Sequence, residues 1–168
     1  MLVEPHLRPA SRVLTAPVAG VRHERHSAAT PCGDTGLGDL LDHVDGFALP
    51  FAAAATQAAA AGGPGPRADG SRLGGDGRTR IPQHLAALAV AWGEEAAWRR
   101  TADVVGQPVP GEPAGVIALD ELIVHGRDVA VAGGRPSRDE PASVEDASLV
   151  EQLLARTGRD PTWRGGRA

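Results

Sequence analysis

Hydrophobic residues recur at helical spacing in several segments of the chain. A weak pattern over residues 9–26 predicts a first helix. A second helix is expected to begin near Thr35 or Gly36 and to be kinked or interrupted at Pro50. Its apolar positions repeat every three or four residues, which places them on one face. They are Leu37, Leu40, Leu41, Val44, Phe47 and Ala48.

A long polar segment separates these helices from the next one. Residues 62–80 are rich in Gly, Pro, Asp and Arg and contain almost no apolar side chains, so they predict a flexible loop. Residues 81–98 predict a third helix, with Pro82 in its first turn. Residues 101–112 are expected to form an irregular connection. The apolar face of the third helix consists of Leu85, Leu88, Ala89 and Trp92.

The fourth predicted helix has the clearest boundaries. Pro113 lies near its start and Gly133 and Gly134 follow its end, which gives about 20 residues. Its apolar side chains point in nearly every direction around the axis. We therefore expect neighbouring elements to bury this helix on all sides.

These elements predict the fold class and the domain organisation. Three or four substantial helices without a convincing alternating strand favour an all-α bundle. The length of 168 residues suits one domain with long loops. Residues 148–158 predict a short C-terminal helix, and residues 1–8 and 164–168 are expected to be disordered tails.

Charge and composition exclude several classes of function. The net charge of -4 and the isoelectric point near 5.8 argue against nucleic acid or an anionic membrane as the main partner. No stretch approaches the roughly 18 uninterrupted apolar residues of a membrane span, and the N-terminus lacks the apolar core of a signal peptide. The single cysteine, Cys32, excludes an intrachain disulfide. We expect a cytoplasmic protein.

The fourth helix carries an unusual polar pair, Glu121 and His125. Their spacing of four residues places both side chains on one face, roughly 6 Å apart. Burial of a carboxylate costs several kcal/mol unless it is paired or coordinates a cation. The pair is therefore either an ordinary helical hydrogen bond or part of a metal site. The candidate for the third ligand that a catalytic site usually needs is His43 on the inward face of the second helix, although this residue taken alone favours a hydrogen-bonded core histidine.

Other candidate sites are rejected on their spacing. His23, His26 and Cys32 lack any recognisable zinc-ligand pattern. The sequence GDTGLG resembles a phosphate-binding loop, but it follows no strand and the chain contains no lysine. Cys32 is interpreted as a structural residue of its turn, because no neighbouring base or cation is evident.

Several segments together resemble a known family. The segments are TPCGDTGLGDLLDHVDG, LAVAWGEEAAW, VPGEPAGVIALDELIVHGRDVAVAGGRP and LLARTGRDPTW. They are similar to the actinobacterial metal-binding proteins of the DinB-like superfamily, related to the N-terminal domain of mycothiol-dependent maleylpyruvate isomerase. The resemblance spans roughly residues 28–163. Members usually have tryptophan where this chain has Thr35 and Arg127.

The resemblance implies a four-helix bundle that holds a divalent metal. Carried over by motif, the ligands are His43 of LLDHV together with Glu121 and His125 of ELIVHGRD. This donor set suits Zn²⁺ and admits Ni²⁺ or Fe²⁺. The implied function is a metal-dependent enzyme that uses a low-molecular-weight thiol such as mycothiol, a transferase or isomerase acting on a small electrophile. In this enzyme hypothesis, Asp128 is the residue expected to orient an imidazole. The alternative is a non-catalytic metal-binding or stress-response protein. A homodimer is also expected from the family.

Overall fold

Amphipathic segments of the chain form the helices that build the core. The structure, a computed structural model, describes residues 7–58, 67–104 and 106–134. Helix α1 spans Leu7–Gly20 and α2 spans Leu37–Thr56. Helix α3 spans Gly77–Ala91, α4 spans Glu95–Arg99 and α5 spans Gly111–Ala132. The protein is all-α, as the sequence predicts.

The four longer helices enclose one apolar core. Helix α1 packs on α3 and α5, and α2 packs on the same two helices from the other side. Ser11 of α1 donates a hydrogen bond to the Leu85 carbonyl of α3 at 3.0 Å, and the Trp92 indole donates to the Phe51 carbonyl of α2 at 3.0 Å. Both donors are buried, so these bonds fix neighbouring helices against one another.

The predicted helix boundaries need three corrections. Helix α1 includes Leu7, within the expected tail, and it ends at Gly20, after which residues 23–25 form a 3-10 turn. Helix α2 continues through Pro50 to Thr56 without interruption. The predicted third helix is two helices, because the chain leaves helical geometry around Gly93 before α4 begins.

Part of the predicted loop over residues 62–80 is regular structure. Residues 70–72 form a 3-10 turn and α3 begins at Gly77, so Pro82 lies in the second turn. The turn is held on α2, where the Gly70 amide donates to Asp39 at 2.7 Å. A Cβ at Gly70 would lie 2.7 Å from the carbonyl carbon of Gly38, so only glycine allows this approach.

The expected irregular connection over residues 101–112 is instead a small hairpin. Strand β1, Thr101–Val104, pairs antiparallel with β2, Gln107–Pro110. Gly106 occupies the connecting turn with a φ of 78°, which glycine adopts at little cost. The hairpin leads directly into α5.

Helix α5 matches its predicted extent but not its predicted burial. Its 22 residues include a buried face of small side chains, where Gly115 lies against the rings of Trp92 and Trp98. The side chains of Val116 and Ile117 are exposed, so the expectation of burial on all sides is wrong. The predicted C-terminal helix and the tail at 164–168 lie outside the described residues. Among the described residues, no helix combines the length and hydropathy that crossing a membrane requires.

Candidate metal centre

Two helices bring the three predicted ligands together. The His43 side chain comes from α2, and Glu121 and His125 occupy successive turns of α5. One carboxylate oxygen, Oε2 of Glu121, lies 3.1 Å from Nε2 of His43 and 2.9 Å from Nε2 of His125. The structure therefore places His43 beside a pair that begins 78 residues later in the sequence, at Glu121.

The cluster has a buried side and an open side. The exposed fraction of the side chain rises from 8% at His125 through 31% at Glu121 to 43% at His43. The sequence predicts His43 on the inward face of α2, but the imidazole lies at the margin of the core, where solvent reaches it. A small molecule can therefore approach the cluster from the side of His43.

Aromatic rings fix the arrangement of the two imidazoles. The rings of His43 and His125 meet edge to face, with centroids 5.0 Å apart. The Phe47 ring lies one helical turn after His43, with a centroid distance of 5.6 Å. Because Phe47 is buried, it provides an apolar wall on one side of the His43 imidazole.

Hydrogen bonding sets the charge of the cluster. Burial alone would raise the pKa of Glu121, but hydrogen bonds from His125 and His43 outweigh it and hold that pKa at about 2. Burial likewise acts to lower the pKa of His125, while its contacts with Asp128 and Glu121 raise it above the ordinary value. The Glu121 carboxylate is thus ionised, and its negative charge stabilises a positive charge beside it.

A buried carboxylate supports His125 from behind. Oδ2 of Asp128 lies 3.5 Å from Nδ1 of His125, and the Asp128 side chain is fully buried. Nε2 of His125 carries the proton of the hydrogen bond to Glu121; when a cation replaces that proton, a carboxylate on Nδ1 favours the tautomer whose Nε2 lone pair is available to the metal. His125 then presents Nε2 towards Glu121, on the side where His43 also presents Nε2.

The donor set fits a divalent cation. The ligand atoms of His43, Glu121 and His125 all lie within 4.8 Å of one another. Ligands about 2.1 Å from a tetrahedral Zn²⁺ are roughly 3.4 Å apart, so small side-chain movements would suffice to enclose an ion. Within residues 7–58, 67–104 and 106–134, this is the one group of three or more metal-ligating side chains. His23, His26 and Cys32 do not form such a group, in agreement with their rejection from spacing.

The other residues singled out in the sequence occupy a turn and α5. Cys32 and Thr35 lie in the turn before α2, where the Cys32 amide donates to Thr30 at 3.1 Å. The Thr30 hydroxyl in turn donates to the Thr35 carbonyl at 2.7 Å. These bonds support the interpretation of Cys32 as part of a structural turn. Arg127 is half-buried on α5, between His125 and Asp128 in sequence.

Sequence reasoning missed a second charged cluster, on α2 and α3. Oδ1 of Asp45 lies 2.7 Å from Nδ1 of His84, and Oδ2 accepts from Nε and Nη2 of Arg80 at 3.0 and 2.9 Å. Arg80 also pairs with Asp76. The spacing of Arg80 and His84, four residues apart, is a signal for a shared acidic partner only on a helix, and the predicted loop includes Arg80 as its last residue, whereas α3 begins at Gly77.

Comparisons with known proteins add no family to this picture. The chain matches no known protein family, no curated protein and no solved structure. The case for the metal centre therefore rests on the geometry of its three side chains.

Proposed function

We propose that this chain is a DinB-like, divalent-metal-binding protein that acts as a metal-dependent enzyme with a low-molecular-weight thiol. The convergence of His43, Glu121 and His125 on one point carries the proposal. Three protein ligands with solvent on one side are the arrangement of a catalytic rather than a closed structural site. The family resemblance of the sequence supplies the reaction class, a mycothiol-type transferase or isomerase in the cytoplasm.

The proposed metal is Zn²⁺, with Ni²⁺ or Fe²⁺ as alternatives. Two imidazole nitrogens and one carboxylate oxygen form a donor set that zinc enzymes use. The same set also suits Fe²⁺ and Ni²⁺, which accept more ligands. The half-exposed His43 leaves room on its side for further coordination positions.

The residues of the chain have separate roles in this proposal. A bound divalent ion lowers the pKa of a thiol, so that the thiol reacts as a thiolate with an electrophile. Glu121 supplies the single negative charge of the ligand set. Asp128 keeps the His125 imidazole in one orientation and one tautomer. The open side at His43 admits the thiol and a small electrophile.

The second candidate is a non-catalytic metal-binding protein. One observation favours it: the ligands come from two helices, so a bound ion would cross-link α2 to α5 and stabilise the fold by binding only the folded state. Both candidates require the same three ligands. They differ in whether the metal supports turnover.

Metal analysis of protein purified without an affinity tag tests the ligand assignment. We expect about one divalent ion per chain in the wild type and strongly reduced content in His43→Ala and Glu121→Ala. The control is His84→Ala, which removes the histidine of the second cluster and should retain the wild-type content. Wild-type metal content in both ligand variants would defeat the assignment.

Thiol transfer to a panel of small electrophiles separates the two candidates. The wild type is assayed with mycothiol and other biological thiols, before and after metal removal. We expect turnover that disappears with the metal and returns on adding it. If none of the thiols supports turnover although stoichiometric metal is bound, the non-catalytic role is favoured.

A further inference from the structure

The two helices that carry the candidate metal ligands run in opposite directions. His43 of α2 lies beside Glu121 of α5. The Trp92 side chain marks a second common level, because its indole donates to the Phe51 carbonyl of α2 and its ring lies against Gly115 of α5. Steps towards the C-terminus of α2 and towards the N-terminus of α5 therefore lead from the metal centre to the same region.

That region is apolar on both helices. Positions four, seven and eight residues away from a ligand share its side of a helix. On α2 these positions follow His43, on α5 they precede Glu121, and all of them carry apolar side chains. We call them the apolar strip: Phe47, Pro50, Phe51, Pro113, Ala114 and Ile117. In the opposite direction the corresponding positions include two carboxylates, Asp39 and Asp128.

The apolar strip has an exposed edge beside the metal centre. Ile117 is 42% exposed and precedes Glu121 by one helical turn, with the two side chains about 40° apart around the axis. Pro113 is also exposed, whereas Phe47 and Phe51 are buried. Exposed apolar surface gains free energy when a ligand covers it. A ligand at the metal centre can make this gain at Ile117 because Glu121 itself is partly exposed.

The composition of the strip decides which part of a substrate lies there. Its side chains offer neither a charge nor a hydrogen bond, so a polar group placed on them would lose water without a replacement partner. Low-molecular-weight biological thiols are polar molecules. The strip therefore suits the electrophile rather than the thiol.

We propose that the small electrophile has an alkyl or aryl body that lies on the apolar strip and that Ile117 selects for it. This inference rests on the proposed function, because the metal centre holds the reactive end of the ligand. Ile117 contacts the body from α5, and Phe47 contacts it from α2. The strip extends roughly 12 Å along α5 from Glu121 to Pro113, as far as the hairpin, which contacts both helices.

Alkyl hydroxamates are the probes, because the hydroxamate group binds a divalent ion and leaves the alkyl chain free to lie on the strip. The full chain is loaded with Co²⁺ and titrated with acetohydroxamate and with hexanohydroxamate, and the visible absorption bands of Co²⁺ report binding. Complete burial of a methylene improves affinity about fourfold. On an open strip we expect about twofold for each additional methylene, so hexanohydroxamate should bind at least about tenfold more tightly.

Two serine variants test the role of Ile117. Ile117→Ser removes most of the apolar contact from α5 and should reduce the ratio of the two affinities about threefold, with the acetohydroxamate affinity unchanged. Val116→Ser is the matched control, because Val116 is similarly exposed but its side chain leaves the helix about 140° away from that of Glu121. Its affinity ratio should equal that of the wild type. Co²⁺ bands like those of the wild type show that each variant keeps the metal centre.

Three results with bound Co²⁺ would overturn the inference and leave metal binding intact. They are no tighter binding of hexanohydroxamate than of acetohydroxamate, an unchanged affinity ratio in Ile117→Ser, and an equal fall of the ratio in Val116→Ser. A wild type that binds no Co²⁺ would instead contradict the proposed function, and the inference with it. The Co²⁺ bands therefore distinguish the two failures.

Discussion

Two clusters that pair a histidine with a carboxylate lie on different sides of α2. They differ in the third side chain, which is a second histidine in one cluster and an arginine in the other. At the metal centre, Glu121 contacts two imidazoles. At the second cluster, Asp45 contacts one imidazole, of His84, and the guanidinium of Arg80. Arginine is a permanent cation, so the charge of Asp45 is already compensated. An imidazole, unlike a guanidinium, can give up its proton, so a divalent ion can replace the positive charge beside Glu121.

The third side chain decides whether each carboxylate is available to a metal ion. A metal at Asp45 would have to displace Arg80, whose guanidinium occupies one carboxylate oxygen with two hydrogen bonds. A metal at Glu121 has to displace only the protons on Nε2 of the two imidazoles. In the proposed function, metal binding belongs to the Glu121 cluster, whereas the Asp45 cluster serves helix packing. The following predictions test this difference in role between the two clusters.

The largest expected effect is on metal affinity. Glu121→Gln removes the only charged ligand and should weaken Zn²⁺ binding by at least about 100-fold. Asp45→Asn is the matched change in the second cluster and should alter Zn²⁺ affinity less than about threefold. Competition titration with a chromophoric chelator measures both. Equal losses of affinity in the two variants would contradict this difference in role.

The second prediction concerns stability, for which Asp45→Asn is expected to have the larger effect and Glu121→Gln the smaller one. In the metal-free protein, Asp45→Asn leaves Arg80 and His84 without their shared carboxylate and should lower the free energy of unfolding by about 2 kcal/mol. Urea denaturation measures this loss. The half-exposed Arg80 limits it, because solvent replaces part of the interaction. A larger loss in Glu121→Gln than in Asp45→Asn would show that the first cluster is the stronger packing contact.

The third prediction concerns the carboxylate behind His125. Asp128→Asn should weaken Zn²⁺ binding about tenfold, because the imidazole loses the partner that fixes its tautomer. Spectroscopy of the Co²⁺-substituted protein should also show a changed ligand field, which a purely structural role would not produce. If Asp128→Asn leaves both the Co²⁺ spectrum and the Zn²⁺ affinity unchanged, Asp128 has no role in the metal site.

The smallest expected effect is on acid stability without metal. The folded-state pKa of Glu121, about 2, lies below its ordinary value of 4.5, so the unfolded chain takes up the proton first as the pH falls. The contribution is complete above about pH 4.5 and disappears as the pH approaches 2. Because the side chain is 31% exposed, we expect about 1 kcal/mol. Urea denaturation across this pH range should show a flatter profile for Glu121→Gln than for the wild type.

The sequence predicts the extent of α5 and the contact between Glu121 and His125 well because the signals there are local. Pro113 and Gly133 mark the ends of the helix, and the spacing of Glu121 and His125 places both on one face. The approach of His43 to this pair is confirmed by the structure, although the sequence predicts it only as a candidate. Its exposure depends on where α2 meets α5, which no local pattern encodes.

The elements that sequence reasoning missed depend on contacts between distant segments. The hairpin has strands of four residues with Pro108 and Pro110 in β2, too short and too irregular for an alternating pattern. The beginning of α3 at Gly77 lies inside a Gly-rich segment. The described part of that segment, from residue 67 onward, is held by contacts with α2, including Arg72 with Asp42. These contacts are visible only after the chain has folded.

The contact between Gly70 and Gly38 has a consequence for related sequences. The backbone of the turn crosses α2 with no side chain between them, since a Cβ at Gly70 would lie 2.9 Å from the Cα of Gly38. A side chain at Gly70 would lift the turn and break the bonds that it forms with Asp39 and Asp42. In homologues that retain this turn, position 70 should therefore stay glycine, whereas insertions should accumulate elsewhere in the segment between α2 and α3.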